Sequence, residues 1–223
     1  MKFLKLAAIA AACVVLAIVP ARAQMWAVGT QIGTTGVGGE LQLQLNNALV
    51  ARGTVDWLSY SRDETYSDVD YSGKLQFGTG GAFLDWHPFQ NGFLLSGGAY
   101  FGSRKIKLSA QPGAATSVDL GAATYTGAQV GRLTGSVKMG DVEPFAGLGY
   151  DNAFQGNAGL GFKVLLGVSF SDSPSVSLIS SGGILSADPV FQADVAAEQD
   201  KIRHDAKDLQ YFPVLYIGLT YRP

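Results

Sequence analysis

The stretch "YFPVLYIGLTYRP", residues 211–223, alternates with a clean period of two. Tyr211, Leu215, Ile217, Leu219 and Tyr221 fall on one side, and Tyr216, Gly218, Thr220 and Arg222 on the other. Such alternation specifies a β-strand. An apolar row with aromatics at both ends, backed by glycine and arginine, suits a strand with lipid on one face and a polar interior on the other.

The same two-sided pattern extends through the chain. Gly53, Val55 and Trp57 alternate with Arg52, Thr54, Asp56 and Tyr60, and Tyr71, Leu75 and Phe77 with Ser72, Lys74 and Gln76. In "LGFKVLLGVSF", Leu160, Phe162, Val164, Leu166, Val168 and Phe170 face one way and Gly161, Lys163, Gly167 and Ser169 the other. The alternation predicts strands at residues 26–33, 36–45, 49–61, 70–86, 93–109, 134–140, 144–152, 160–171, 175–182 and 211–222. Short breaks at Asn46-Asn47, "HPFQNG" (87–92), "GDVEP" (140–144) and "SDSP" (171–174) alternate with longer polar connections, "RDETYSDVD", the segment 109–134, "DNAFQGNAG" and the segment 182–210. Tight turns on one side and long loops on the other are the habit of a transmembrane barrel.

The expected fold is therefore all-β, a closed antiparallel transmembrane β-barrel of about eight to ten strands, ten being the better count. A soluble sandwich or lipocalin would alternate too. Its dry core, however, would not accept the charges predicted for the polar face, Glu40, Arg52, Asp56, Lys74, Arg104 and Lys163. Aromatics near strand ends (Trp26, Trp57, Tyr71, Phe93, Phe101, Tyr211, Tyr221) suit membrane interfaces. Within the lumen, Arg52 and Asp56 are expected to meet Glu40 and Lys74 on adjacent strands and to form a paired plug.

The first residues, "MKFLKLAAIAAACVVLAIVPARA", combine Lys2 and Lys5, an apolar run from Leu6 to Val19 and the small-x-small triplet Ala21-Arg22-Ala23. They read as a signal peptide, 1–23, cut before Gln24, leaving 24–223 as the barrel domain. The apolar run is shorter than the ~20 residues of a membrane helix. Cys13 departs with the signal, so the mature chain has no thiol for disulfides, nucleophilic catalysis or thiolate metal sites. A formal charge of −2 over 223 residues gives no electrostatic reason to expect nucleic acid.

One helix is predicted between residues 187 and 210, in the last long loop. Asp188-Pro189 supplies a cap and a first-turn proline, and Phe191, Val195, Ile202 and Leu209 fall near one face. It reads as packing over the barrel rim. The two histidines do not form a catalytic grouping: His87 lies between Trp86 and Pro88 in a short turn, and His204 in the charged "DKIRHDAKD". Asp63, Glu64, Asp68 and Asp70 lack the spacing of a calcium loop and read as an acidic surface loop. The glycines of "GTTGVGG" precede no helix and read as a hairpin. No catalytic, cofactor-binding or metal-binding residue is assigned, and no enzymatic activity or cofactor is expected.

Several phrases resemble small bacterial outer-membrane β-barrel proteins of the OmpW and OmpA-like type: "LDWHPF" followed by "FLLSGGAYF", "YTGAQVGRLTGSV", "PFAGLGYDNA", "GLGFKVLLGVSFSDSPSVSL" and "DPVFQADVAAEQ". The spacing of Gly218 and Tyr221 in the last strand likewise resembles the signal by which such barrels reach their insertion machinery, although this chain stops on Arg222-Pro223 rather than on an aromatic. The resemblance implies a barrel in the bacterial outer membrane, with outer-membrane lipids, lipopolysaccharide and the insertion machinery as partners. It implies no agreed activity. The function expected is a structural or narrow small-solute transport role, with loop-mediated binding or adhesion as the alternative and a lipid-modifying enzyme as the remotest reading.

Overall fold

The computed structural model describes residues 25–66, 69–172, 174–206 and 210–223; the expected signal segment lies outside them. Among the described residues twelve strands form: β1 (Trp26–Gly33), β2 (Gly36–Asn46), β3 (Leu49–Tyr66), β4 (Val69–Trp86), β5 (Phe93–Pro112), β6 (Ser117–Leu120), β7 (Ala123–Thr126), β8 (Gly131–Lys138), β9 (Val142–Asp151), β10 (Gly159–Phe170), β11 (Ser175–Gly182) and β12 (Tyr211–Arg222). A single turn of helix, α1 (Gly127–Val130), and a longer helix, α2 (Pro189–Asp205), complete the described elements.

Ten strands make one antiparallel sheet in the order β11-β8-β5-β4-β3-β2-β1-β12-β10-β9, and β6 and β7 form a separate hairpin. These ten correspond to the ten predicted from alternation, but the described strands number twelve, because β6 and β7 form within a segment expected to be loop. Because β9 also pairs with β5, the path β5-β4-β3-β2-β1-β12-β10-β9 returns to its start after eight strands. The first and last strands pair antiparallel, with Ile32 opposite Ile217.

β8 and β11 add no width to this ring; they lengthen it. β5 pairs with β9 from Phe93 to Phe101 and with β8 from Lys105 to Ala110. Gly102 N–H donates to the Asp141 carbonyl and Met139 N–H to that of Arg104, so the ladder is continuous across the break between β8 and β9. β11 then pairs with β8 along its whole length. The upper halves of β3, β4 and β5, with β8 and β11, thus make a curtain that rises beyond the ring.

The connections depart from the expected alternation. The termini share one end of the ring with the turns at 47–48 and 87–92 and with the connection 152–158, so "DNAFQGNAG" lies beside the turns it was expected to oppose. "GDVEP" and "SDSP" fall at the opposite end, where they interrupt long strand paths. Most of "RDETYSDVD" is strand rather than loop. Its charges disguise an extended run that β4 pairs up to Tyr66↔Val69, reinforced by the Thr65 hydroxyl donating to Asp70 at 2.7 Å. Part of the segment 109–134 folds as the β6–β7 hairpin. In "GTTGVG", Thr34 and Thr35 make a two-residue turn, and Ile32 and Val37 are direct partners on one face. Gly36 takes φ +112° at that turn, a left-handed backbone that favours glycine.

The polarity of the sheet reverses along its strands. On β3 the outward row reads Leu49, Ala51, Gly53, Val55 and Trp57, then Ser59, Ser61, Asp63 and Thr65. On β5 it reads Phe93, Leu95, Gly97, Ala99 and Phe101, then Ser103, Lys105, Lys107 and Ser109. The opposite face does the reverse, from Arg52, Thr54 and Asp56 to Leu58 and Tyr60 on β3, and from Ser96 to Ile106 and Leu108 on β5. Phe77 therefore points inward at 6% exposure, and Leu75 and Tyr71 continue its row, not the outward row predicted for them.

The inward apolar face of the curtain is partly covered by a small second core. Leu120, Val130, Phe191 and Val195 are buried there against Leu133 and Leu178. Asp188 caps α2 by accepting from the backbone N–H groups of Val190 and Phe191 at 2.9 and 3.0 Å. Gln199 of α2 accepts from Leu178 N–H at 2.9 Å, satisfying a donor on the free edge of β11. The Tyr125 hydroxyl donates to Asp194, which holds its pKa above the ordinary tyrosine value. Of the predicted helix face, Phe191 and Val195 are buried, Ile202 is half-buried and Leu209 lies outside the described residues.

Candidate functional site: the buried ionic interior

Alternation turns every second residue of the ring strands inward, and the inward set is polar and charged at two levels separated by aromatics. At the terminal end, Arg52 grips Asp85 with two hydrogen bonds, Nε to Oδ2 at 2.7 Å and Nη2 to Oδ1 at 3.1 Å. Ser96 bridges the pair, accepting from Arg52 at 3.0 Å and donating to Asp85 at 2.6 Å. Lys163 Nζ lies 3.0 Å from Asp85, 3.2 Å from Asp151 and 3.5 Å from Glu40. Gln42 donates to Glu40 at 2.6 Å and to Asp151 at 2.8 Å. Two cations and three carboxylates thus share one hydrogen-bonded cluster whose charged side chains are at most 5% exposed.

Phe83, Tyr100, Phe145, Leu165, Val214 and Tyr216 fill the interior above this cluster, and Leu94 of the same core lies beside Ser96, each 5% exposed or less. The Phe83, Tyr100 and Phe145 rings meet edge to face at 4.9 to 5.6 Å. The Arg52 guanidinium stands 4.2 Å over Phe83, which ties the ionic layer to the aromatic one. Beyond the aromatics, Arg104 pairs with Glu143, and Ser169 accepts from Arg104 and donates to Glu143, both at 2.9 Å. Tyr100 and Phe212 carry the Arg104 guanidinium over their rings at 5.0 and 4.5 Å.

Of the six charges predicted for the interior, Glu40, Arg52, Asp56, Arg104 and Lys163 are buried inside the ring. Lys74 is not: it is exposed on the outward face of the curtain, opposite Ser61 and Lys107. Alternation assigned it to the polar face correctly, but at that height the polar face is the outer one. Arg52 and Glu40 approach only to 4.0 Å, and Asp56 accepts instead from Gln31 at 2.5 Å and Thr54 at 3.4 Å.

Sequence reasoning missed Asp85, Glu143 and Asp151. The phase of Leu84 and Trp86 already implied an inward Asp85, and Gly147, Gly149 and Asp151 continue the inward row of Phe145. Glu143 and Asp151 escaped because they border stretches read as turn and loop. Gly218 faces inward where β12 closes on β1, and a Cβ there would stand 2.7 Å from the Thr30 carbonyl oxygen. Tyr221 points outward at the terminal end, 49% exposed.

His87 sits in the turn after β4, its Nδ1 2.9 Å from the Asn91 carbonyl oxygen. His204 occupies the last turn of α2. Among the described residues no three His, Cys, Asp or Glu side chains gather as metal ligands would. Of the acidic stretch, Asp63, Glu64 and Asp70 stand on β3 and β4, and Asp68 lies outside the described residues.

No known family profile and no curated protein matches the chain. Several solved structures are similar to the chain, and two of them are from Acinetobacter baumannii. The crystal structure of CarO2 from Acinetobacter baumannii is 18% identical, covers 91% of this chain and 100% of its own, and superposes with a TM-score of 0.61. CarO from the same organism is 21% identical, covers 88% and 97%, and gives 0.60. The likeness is one of fold, an antiparallel β-architecture shared over nearly the whole of each chain.

Proposed function

We propose that the ring is a closed eight-stranded transmembrane barrel in the bacterial outer membrane, and that its role is structural: a filled anchor holding the curtain and its helical cover outside the cell. The observation that carries this reading is the content of the interior. Tyr100, Leu94, Leu165, Val214 and Tyr216 are at most 1% exposed, and opposite charges at each level are paired rather than arrayed as one sign. Eight strands leave an interior about wide enough for side chains to fill. Paired charges in such a lumen form a plug rather than a selectivity ring.

The outward rows support the membrane assignment. Leu49–Trp57 and Phe93–Phe101 are each nine residues long, and Leu160–Phe170 eleven, matching the ~9–11 residues of a spanning strand. Trp26, Trp86, Phe93, Tyr150 and Tyr221 gather at the terminal end of this belt, and Trp57, Phe101, Phe170 and Tyr211 at the other, as interfacial girdles would. The termini then lie on the periplasmic side, the mature chain starts at Gln24, and β12 with Gly218 and Tyr221 serves insertion. The reading carries no catalytic step, and the double variant H87A/H204A is expected to leave the lipid composition of the cell unchanged.

Planar-bilayer recording and liposome swelling with small solutes test the filled interior. No conductance steps above leak and no swelling are expected; reproducible steps in the parent, abolished by filling or charge variants of the ionic layer, would establish narrow transport instead. A second reading, binding through the projecting part, is favoured by its separate core around Phe191 and Leu120. Binding sites are commonly built on segments held out from a rigid scaffold.

A further inference from the structure

The outward face of the curtain carries a panel of lysines whose placement the structural role leaves unexplained. Lys74 of β4 is the direct cross-strand partner of Lys107 of β5, and Lys105 of β5 is the direct partner of Lys138 of β8. Like charges directly opposite one another repel across a sheet. Lys138 is relieved by Asp141 at 2.8 Å. Among the described residues the side chains of Lys74, Lys105 and Lys107 have no hydrogen bond or ion pair. Their lateral neighbours are Ser61, Gln76 and Ser136. The acidic groups on the same face lie farther out, Asp63 opposite Ser72 and Asp70 bonded to Thr65.

The height of the panel indicates its counter-ion. Trp57, Gly78 and Ser103 form one row across β3, β4 and β5 at the top of the apolar belt. Lys105 stands two residues beyond that row and Lys107 four, or about 7 and 13 Å along a strand rising ~3.3 Å per residue, and less along the membrane normal once tilt is counted. The polar layer of a bilayer occupies roughly the first 5–8 Å outside the hydrocarbon on each side. Lipid phosphates therefore lie at the level of the lower lysines and within reach of the upper ones, whose flexible stems carry the ammonium several ångströms from the backbone.

We propose that Lys74, Lys105 and Lys107, with Lys138 at their edge, bind the phosphate groups of an outer-leaflet phosphorylated glycolipid, lipopolysaccharide, on this side of the barrel. The proposal rests on the membrane reading given above, with the curtain outside the cell. The charge is complementary, and the panel is continuous with the lipid-facing rows of the same strands. A lipid held by its acyl chains against Leu95, Ala99 and Phe101 and by its phosphates against the lysines uses both halves of β5.

The test uses the full mature chain folded in a non-ionic detergent, with fluorescent bisphosphorylated lipid A as probe. Replacing K74, K105 and K107 by glutamine should weaken binding about fivefold per lysine, as expected for single charges near an anionic surface. The parent's binding should fall steeply with salt, and phosphatidylcholine should not compete. A single K107E should lose affinity while R62E, an equal change of net charge on the other face of the curtain, should not. Equal affinity of parent and triple variant, or equal losses for K107E and R62E, would overturn the proposal. Displacement of lipid A by low millimolar inorganic phosphate would assign the panel to free phosphate and overturn it too. Should the triple variant fail to fold, K105Q and K107Q singly decide by the same comparison. Heat-modifiable gel migration of the parent reports the barrel itself, so a failed barrel reading is distinguished from a failed lipid site.

Discussion

Below Trp57 and above it, the same strands obey opposite rules. In the ring, Leu49 to Trp57 and Phe93 to Phe101 turn apolar groups outward and Arg52, Asp56, Asp85 and Ser96 inward. In the curtain, Ser59, Ser61, Lys105 and Lys107 turn outward, and Leu75, Ile106, Leu133 and Leu178 inward. The backbone does not change at the boundary: β3 and β4 stay in one register from Leu49↔Trp86 to Tyr66↔Val69. On the membrane reading proposed above, what changes is the solvent. A strand surrounded by lipid must hide its charges inside, where each finds a partner, and a strand surrounded by water hides its hydrocarbon instead. The row at Trp57, Gly78 and Ser103 thus reads as a membrane surface written into a continuous sheet.

The ring should be most sensitive where a charge loses its partner. Replacing Asp85 by alanine takes the two-bond partner from Arg52 and one of three carboxylates from Lys163, and is expected to cost about 3–5 kcal/mol in urea unfolding from detergent or lipid. A variant as stable as the parent would mean that water reaches this layer and solvates the two cations. Next comes the lipid face. Leu166→Arg, near the middle of the outward row of β10, should cost about 2–4 kcal/mol, the range for a cation at the bilayer midplane. In the curtain the effects should be smaller and local. Removing the α2 cap with Asp188→Ala should cost about 1 kcal/mol, read as faster hydrogen exchange in residues 189–205 with none in the ring. Ser61→Arg, outward like Leu166 but above the boundary, should change stability by no more than about 0.5 kcal/mol. If Ser61→Arg and Leu166→Arg cost the same, the two regions do not differ in solvent.

Alternation alone located the ten strands of the main sheet and five of the inward charges, because a period of two survives whatever surrounds the strand. It could not say which face was which above the boundary. Lys74 and Phe77 were misassigned for that single reason, since the pattern "YSGKLQF" looks the same whether lipid or water lies outside. The ring of eight within a sheet of ten was also illegible. That β8 stacks end to end with β9 against one long β5 depends on the backbone bonds of Gly102 and Met139, which leave no mark on composition. The carboxylates that neutralise the interior, Asp85, Glu143 and Asp151, were open to detection by phase but sat beside residues that read as turns. The α2 cap at Asp188-Pro189 was fully legible, because capping is a local matter of backbone donors.

The reversal at Trp57 is tested most directly by depth measurement on the outward row of β3. Cys13 is the sole cysteine of the sequence, so in a chain starting at Gln24 single cysteines at Ala51, Val55, Ser59 and Ser61 can each take a nitroxide in lipid vesicles. Labels at 51 and 55 should be relaxed by oxygen, which concentrates in hydrocarbon. Labels at 59 and 61 should be relaxed by a water-soluble nickel chelate, with the crossover at residue 57. Equal nickel accessibility at all four positions, or a crossover several residues away, would contradict the account.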